Sequence, residues 1–148
     1  MYGGKLKHWI QRDYLKNSNV KEIHIYDSDV PDYKKSVDKM NEGNDGRRKG
    51  FITHRYEMEN YIPMYLVEKE FNLNLKEYSE DWGQDLDIPK VLVGKVNNRY
   101  SKNSGERENI IKKILNGKVM KDCTYEMIKD MGNDEEIKEW FYAIKTMM

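Results

Sequence analysis

The chain has 148 residues, enough for one domain that buries roughly 70% of its unfolded surface. Its apolar fraction of 38% lies under the usual 45–50% or so, and its charged fraction of 35% lies over the usual 25% or so, so the expected core is thin or is completed from outside the chain. Basic and acidic residues number 26 each, which leaves net charge silent on nucleic acid, and the single cysteine, Cys123, excludes both an internal disulfide and a thiolate zinc cluster within one chain.

Cysteine usage fits a reduced, intracellular setting. No apolar run reaches the length of a signal peptide or a membrane helix, so the expectation is a cytoplasmic protein with no membrane contact. After a glycine turn at Gly3-Gly4, the helical spacing of Leu6, Trp9, Ile10 and Tyr14 predicts an amphipathic helix over residues 4–17, broken by Asn17-Ser18-Asn19. Val20 to Tyr26 reads as a strand with apolar groups on both faces, as in a parallel sheet covered by helices on each side. Pro31 and Asp32 then open a helix, Asp32 as its cap, with Tyr33, Val37 and Met40 as its apolar stripe. Asn41 to Gly50 reads as a glycine-rich loop that carries Arg47, Arg48 and Lys49, and Gly50 to His54 reads as a second strand.

Helix, strand, helix, strand is the alternation that builds a parallel sheet through crossovers, so the fold class is α/β. From Glu57 onward the pattern is mostly helical, with Tyr56, Tyr61, Tyr65 and Phe71 at spacings that suit core packing. Ile88 to Val96 is an apolar segment of open type. A helix over Glu106 to Asn116 is closed by Gly117, Thr124 caps Tyr125 to Met131 ahead of Gly132, and Asp134 caps Glu135 to Met147. Only two strands are clear, against about five in an ordinary α/β sheet, so the sheet is expected to be incomplete.

The chemistry sits at the end of the first strand. In an extended chain residues i and i+2 share a side about 6.6 Å apart, so the carboxylates of Asp27 and Asp29 can converge on one hard cation. Mg²⁺ is held in this way, by one or two carboxylates, retained waters and a substrate phosphate. In a doubly wound sheet the groups beyond neighbouring strand ends share a crevice, so Glu57 or Glu59 is expected to add a third carboxylate. The run Arg47, Arg48 and Lys49 supplies positive charge for phosphates, although most such runs are solvated surface. His54 at a strand end is a commoner structural residue than a ligand for a hard metal, and Cys123 has no histidine pattern beside it.

His24-Ile25-Tyr26-Asp27-Ser28-Asp29 followed by Glu57-Met58-Glu59-Asn60-Tyr61 resembles the TOPRIM domain, in the version found in OLD-family nucleases and related bacterial defence proteins, where it often follows an ATPase domain. The resemblance covers roughly residues 1–70 as a TOPRIM-like α/β core, taken to residue 71, with 72–148 as a helical extension. It implies Mg²⁺- or Mn²⁺-dependent cleavage of DNA or RNA phosphodiesters, with Asp27, Asp29 and Glu59 as metal ligands and a lysine, Lys118 or more specifically Lys121, neutralising the phosphate. Such domains also carry a glutamate, normally in Glu-Gly, on a strand ahead of the Asp-x-Asp, and no glutamate precedes Glu22 here. The expectation is therefore a TOPRIM-like domain without its front strand: a fragment, a split product completed by another subunit, or a degenerate remnant without activity. The competing expectation is a non-catalytic TOPRIM-fold module that docks on an ATPase or on a second copy of itself, with an exposed sheet edge and an apolar terminal helix around Trp140 and Met147-Met148.

Overall fold

The computed structural model describes residue 15 and residues 17–43, 46–96 and 99–148. The helix expected over residues 4–17 falls almost wholly outside these. Contacts divide the chain into two units, Met1–His54 with Glu136–Met148, and Arg55–Glu135.

The first unit is α/β. Strands β1 (Glu22–Tyr26) and β2 (Arg48–Ile52) pair in parallel, Glu22 opposite Arg48 and Tyr26 opposite Ile52. Helix α1 (Pro31–Glu42) makes the crossover between them, as the alternation of elements requires. Pro31 occupies its first turn, where a missing N–H costs nothing. Asp32 lies inside that first turn, not at the cap expected of it, because the helix begins at Pro31 with Val30 as its cap. Val37 and Met40 are buried, and Gly50 of β2 is the reason they fit: a Cβ there would lie 3.1 Å from a Val37 methyl and 3.3 Å from the Met40 sulfur.

Strand β1 departs from the expected apolar character on both faces. Its five residues are all half-buried, and it alternates. Ile23 and Ile25 take one side, while Glu22, His24 and Tyr26 form a hydrogen-bonded series on the other. His24 Nε2 lies 3.1 Å from Glu22 Oε2, and Nδ1 lies 2.9 Å from the Tyr26 hydroxyl. The Nε2–H tautomer satisfies both contacts. Burial, with Tyr33 and Glu22 nearby, pushes the Tyr26 phenol above its ordinary pKa.

The sheet has two strands among the described residues, and its two edges differ. Gly50 directs both its main-chain groups away from β1, donating to Asn41 Oδ1 at 2.9 Å and accepting from Asn41 Nδ2 at 3.1 Å. The side chain of Asn41, on α1, thus stands where a third strand would add to β2. No such plug covers the outer edge of β1 among the described residues. The basic segment is mostly strand, not loop: Arg48 and Lys49 belong to β2, because their main chain continues the ladder that Arg47 O begins with Glu22 N at 2.8 Å.

The second unit is helical. A 3-10 turn at Met58–Tyr61 leads into α2 (Met64–Phe71), followed by α3 (Ile88–Lys95), α4 (Ser104–Ile114) and α5 (Tyr125–Asp130). Ile88 to Val96, open in the sequence, is helical because Asp87 caps it by accepting from Lys90 N and Pro89 fits its first turn. Thr124 caps α5 as expected, accepting from Met127 N, and Gly132 follows at φ 75°. Gly117 does not end α4. The chain continues through a π-helical turn, Leu115–Val119, which keeps Ile111, Leu115 and Val119 all buried at four-residue spacing. These three join Ile62, Val67, Phe71, Leu75, Ile88 and Leu92 in one apolar cluster. Tyr61 and Phe71 are buried as expected, whereas Tyr65 is 51% exposed.

The last helix, α6 (Asp134–Met147), returns the chain to the first unit from Glu136 on, and buries Glu136, Ile137, Trp140 and Ala143 as a stripe. No described helix is long and apolar enough to cross a membrane.

Candidate functional site at the carboxyl ends of the strands

The parallel pairing places Asp27 and Asp29 just beyond the carboxyl end of β1, with Thr53 and His54 just beyond that of β2. Two bonds fix the turn that carries the aspartates. Thr53 N donates to Tyr26 O at 2.9 Å, extending the ladder by one rung, and the buried Thr53 hydroxyl accepts from Ser28 N at 3.1 Å. The backbone between the two carboxylates is therefore held by a side chain of the neighbouring strand.

Both aspartates are half-buried. Asp29 Oδ1 is shut off from solvent and has no hydrogen-bond partner among the described residues. An ionised oxygen in that position costs free energy unless something positive meets it. The start of α1 two residues later, with its partial positive charge, meets part of that need. Hard oxygen donors of this kind suit Mg²⁺ or Mn²⁺, which take one or two carboxylates and fill the rest of their shell with water and phosphate. Asp27 and Asp29 offer two carboxylates toward such a shell. No group of three or more His, Cys, Asp or Glu side chains able to hold a metal ion occurs among the described residues.

Glu136 is a residue that the sequence reading gave no role. It is 5% exposed on the buried stripe of α6, and its Oε1 accepts from His54 N at 2.7 Å while Oε2 lies 3.6 Å from His54 Nδ1. His54 keeps its side chain largely in solvent and serves as a structural partner of Glu136. The only sequence signal was a carboxylate in register with Trp140 and Ala143 at helical spacing.

The basic residues have specific partners. Arg47 forms an ion pair with Glu22, Lys21 donates to Gly46 O at 3.1 Å, and the exposed Lys49 ammonium lies 5.8 Å from the Phe51 ring centroid.

Glu59 and Lys121 belong to the second unit. Glu59 is 4% exposed and accepts at 2.9 Å from Nδ2 of Asn116, which lies in the π turn. Beside it Glu57, equally buried, pairs with Lys112 at 2.9 Å, while its Oε2 is shielded from solvent and without a partner among the described residues. Burial holds the Glu57 carboxyl above the ordinary glutamate range; Lys112 pulls it down, and Glu59 and Asp87 push it up. Lys118 is engaged with Glu70 at 2.8 Å, and Lys121 is exposed in the 3-10 turn Met120–Asp122. Cys123 is half-buried, and burial raises its thiol pKa, which suits an inert residue.

Set against protein-family models, curated proteins and solved structures, the chain matches none of them.

Proposed function

We propose that this chain is the cation-holding part of a TOPRIM-type phosphodiesterase, acting on DNA or RNA with Mg²⁺ or Mn²⁺ held by Asp27 and Asp29. The observation that carries this reading is Asp29 Oδ1, buried and unpaired beside Asp27 at the carboxyl end of a parallel strand. A cation bound there would polarise a phosphate oxygen and acidify a coordinated water. Asp27 and Asp29 bind, Thr53 keeps the turn between them fixed, and Lys49, with Lys121 further along the chain, supplies positive charge for the phosphate backbone. The further carboxylates come from a partner polypeptide.

The test pairs binding with activity. Mn²⁺ is expected to raise the melting temperature of the wild type, and plasmid or RNA nicking to depend on it. Asp27→Ala combined with Asp29→Ala removes both effects. Equal Mn²⁺ stabilisation of both proteins would sink the cation site, and equal background nicking would sink the isolated chain as a nuclease.

A second reading, a non-catalytic assembly module that docks on an ATPase or on its own kind, has one observation in its favour. Helix α6 leaves Phe141, Tyr142 and Ile144 exposed beside its buried stripe.

A further inference from the structure

The two edges of the sheet are unlike, and the difference decides what can join it. Main-chain groups alternate sides along a strand. Glu22 N donates to Arg47 O at 2.8 Å and Tyr26 O accepts from Thr53 N at 2.9 Å, so Glu22, His24 and Tyr26 turn their N–H and C=O groups toward β2. Ile23 and Ile25 turn theirs away, and among the described residues no main-chain group pairs with them on that side. At the opposite edge Asn41 holds both main-chain groups of Gly50, so β2 is closed. Among the described residues the sheet thus keeps one edge that can take a strand, and a two-strand sheet whose first strand is only half-buried gains by taking it.

The sequence of β1 is its own complement along that edge. When β1 runs antiparallel to a second β1 with His24 opposite His24, each Ile23 lies opposite the partner's Ile25, and the two residues of such a pair exchange both N–H···O bonds. Four isoleucine side chains then gather on one face of the joint. A shift of two residues in either direction would set an isoleucine against Lys21 or against Asp27. In the register centred on His24, Lys21 falls opposite Asp27 and Glu22 opposite Tyr26, so neither meets a like charge.

We propose that β1 pairs with β1 of a second copy of this chain, antiparallel and centred on His24, to make one continuous four-strand sheet. The contact is isologous, and because Asn41 closes each β2 edge it stops at two copies. A joint of five residues a side buries far less than the roughly 1,200 Å² of a stable interface, so the pair is weak and reversible. This inference rests on the assembly reading, to which it gives a surface, and is independent of the cation site.

The experiment combines sedimentation with amide exchange on the full chain over about 10 μM to 1 mM, a range that brackets weak dissociation constants. The mass of the wild type is expected to rise with concentration and to level off at two copies. Over the same range the amides of Ile23 and Ile25 should gain protection, while that of His24, already in the ladder with β2, changes little. Ile25→Pro removes an N–H that β2 does not use and follows a residue that is already extended. It should weaken association by at least about tenfold, since each pair loses two bonds, with circular dichroism unchanged. Should that variant fail to fold, exchange in the wild type decides alone. Association without protection at Ile23 and Ile25, or growth past two copies, would overturn this pairing and leave the assembly reading standing. A chain that stays monomeric to 1 mM or so would overturn the pairing and self-assembly together, and neither result bears on the response to Mn²⁺ that tests the cation site.

Discussion

The two units spend their residues differently. Residues 55–135 bury a continuous set of aliphatic and aromatic side chains, Ile62, Val67, Leu75, Ile88, Leu92, Ile111 and Leu115 among them at no measurable exposure, and add the buried Glu57 paired with the half-buried Lys112. The first unit has a two-strand sheet whose first strand is half-buried from end to end, a helix held close by one glycine, and its carboxylates at the strand ends. Among the described residues, most of the fully buried apolar surface therefore lies in one unit and the Asp27–Asp29 turn in the other. A two-strand sheet with a half-buried first strand depends on each contact it has, whereas a helical cluster of this size tolerates the loss of peripheral ones.

The largest effect should come from the helical cluster. Leu92→Ala removes a fully buried side chain and is expected to cost about 2–5 kcal/mol, because the close-packed neighbours relax only in part. Ile25→Ala, on a half-buried strand, should cost nearer 1–2 kcal/mol or so. Urea unfolding of the two variants checks the contrast. Equal costs would mean that the sheet buries more than its exposure indicates.

An intermediate effect belongs to Asn41. Its alanine variant leaves the Gly50 N–H and C=O unpaired at the outer edge of β2, at a cost of about 1–3 kcal/mol. Amide exchange at Gly50 should accelerate and the variant should aggregate more readily, since a bare strand edge recruits other strands. Unchanged exchange at Gly50 would show that the side-chain amide is not what closes that edge.

What the sequence made legible were features set by short-range rules. The crossover helix with Val37 and Met40, the parallel pairing of β1 with β2, the position of Asp27 and Asp29 at a strand end, and the Thr124 cap all follow from spacing and from the chemistry of one or two neighbours. Features that failed depend on partners distant in the chain. Arg48 and Lys49 have weak strand preference and become strand through pairing with β1. Gly117 would end an isolated helix, but burial of Leu115 and Val119 carries the winding past it. Glu136 and Asn116 carry no role in the sequence reading because their partners, His54 and Glu59, lie 82 and 57 residues away. Of the candidate site, the two aspartates could be read as a pair, while the Thr53 hydroxyl that fixes their turn could not, since Ser28 and Thr53 are 25 residues apart.

The smallest effect sharpens the contrast through pH. Glu57 is ionisable and buried in the helical unit, and burial outweighs its pairing with Lys112, so its folded-state pKa lies above the ordinary value. A carboxyl raised in this way adds stability below its unfolded pKa, and that stability is lost as pH rises through the folded value. Glu57→Gln is uncharged at every pH, as the protonated wild type is at acidic pH. The variant should therefore gain on the wild type as pH rises from the acid side to neutrality, and urea midpoints across that range report the difference. If the wild type gained instead, the Lys112 ammonium would outweigh the cost of burial, and Glu57 would count among the paired charges that stabilise this unit at neutral pH.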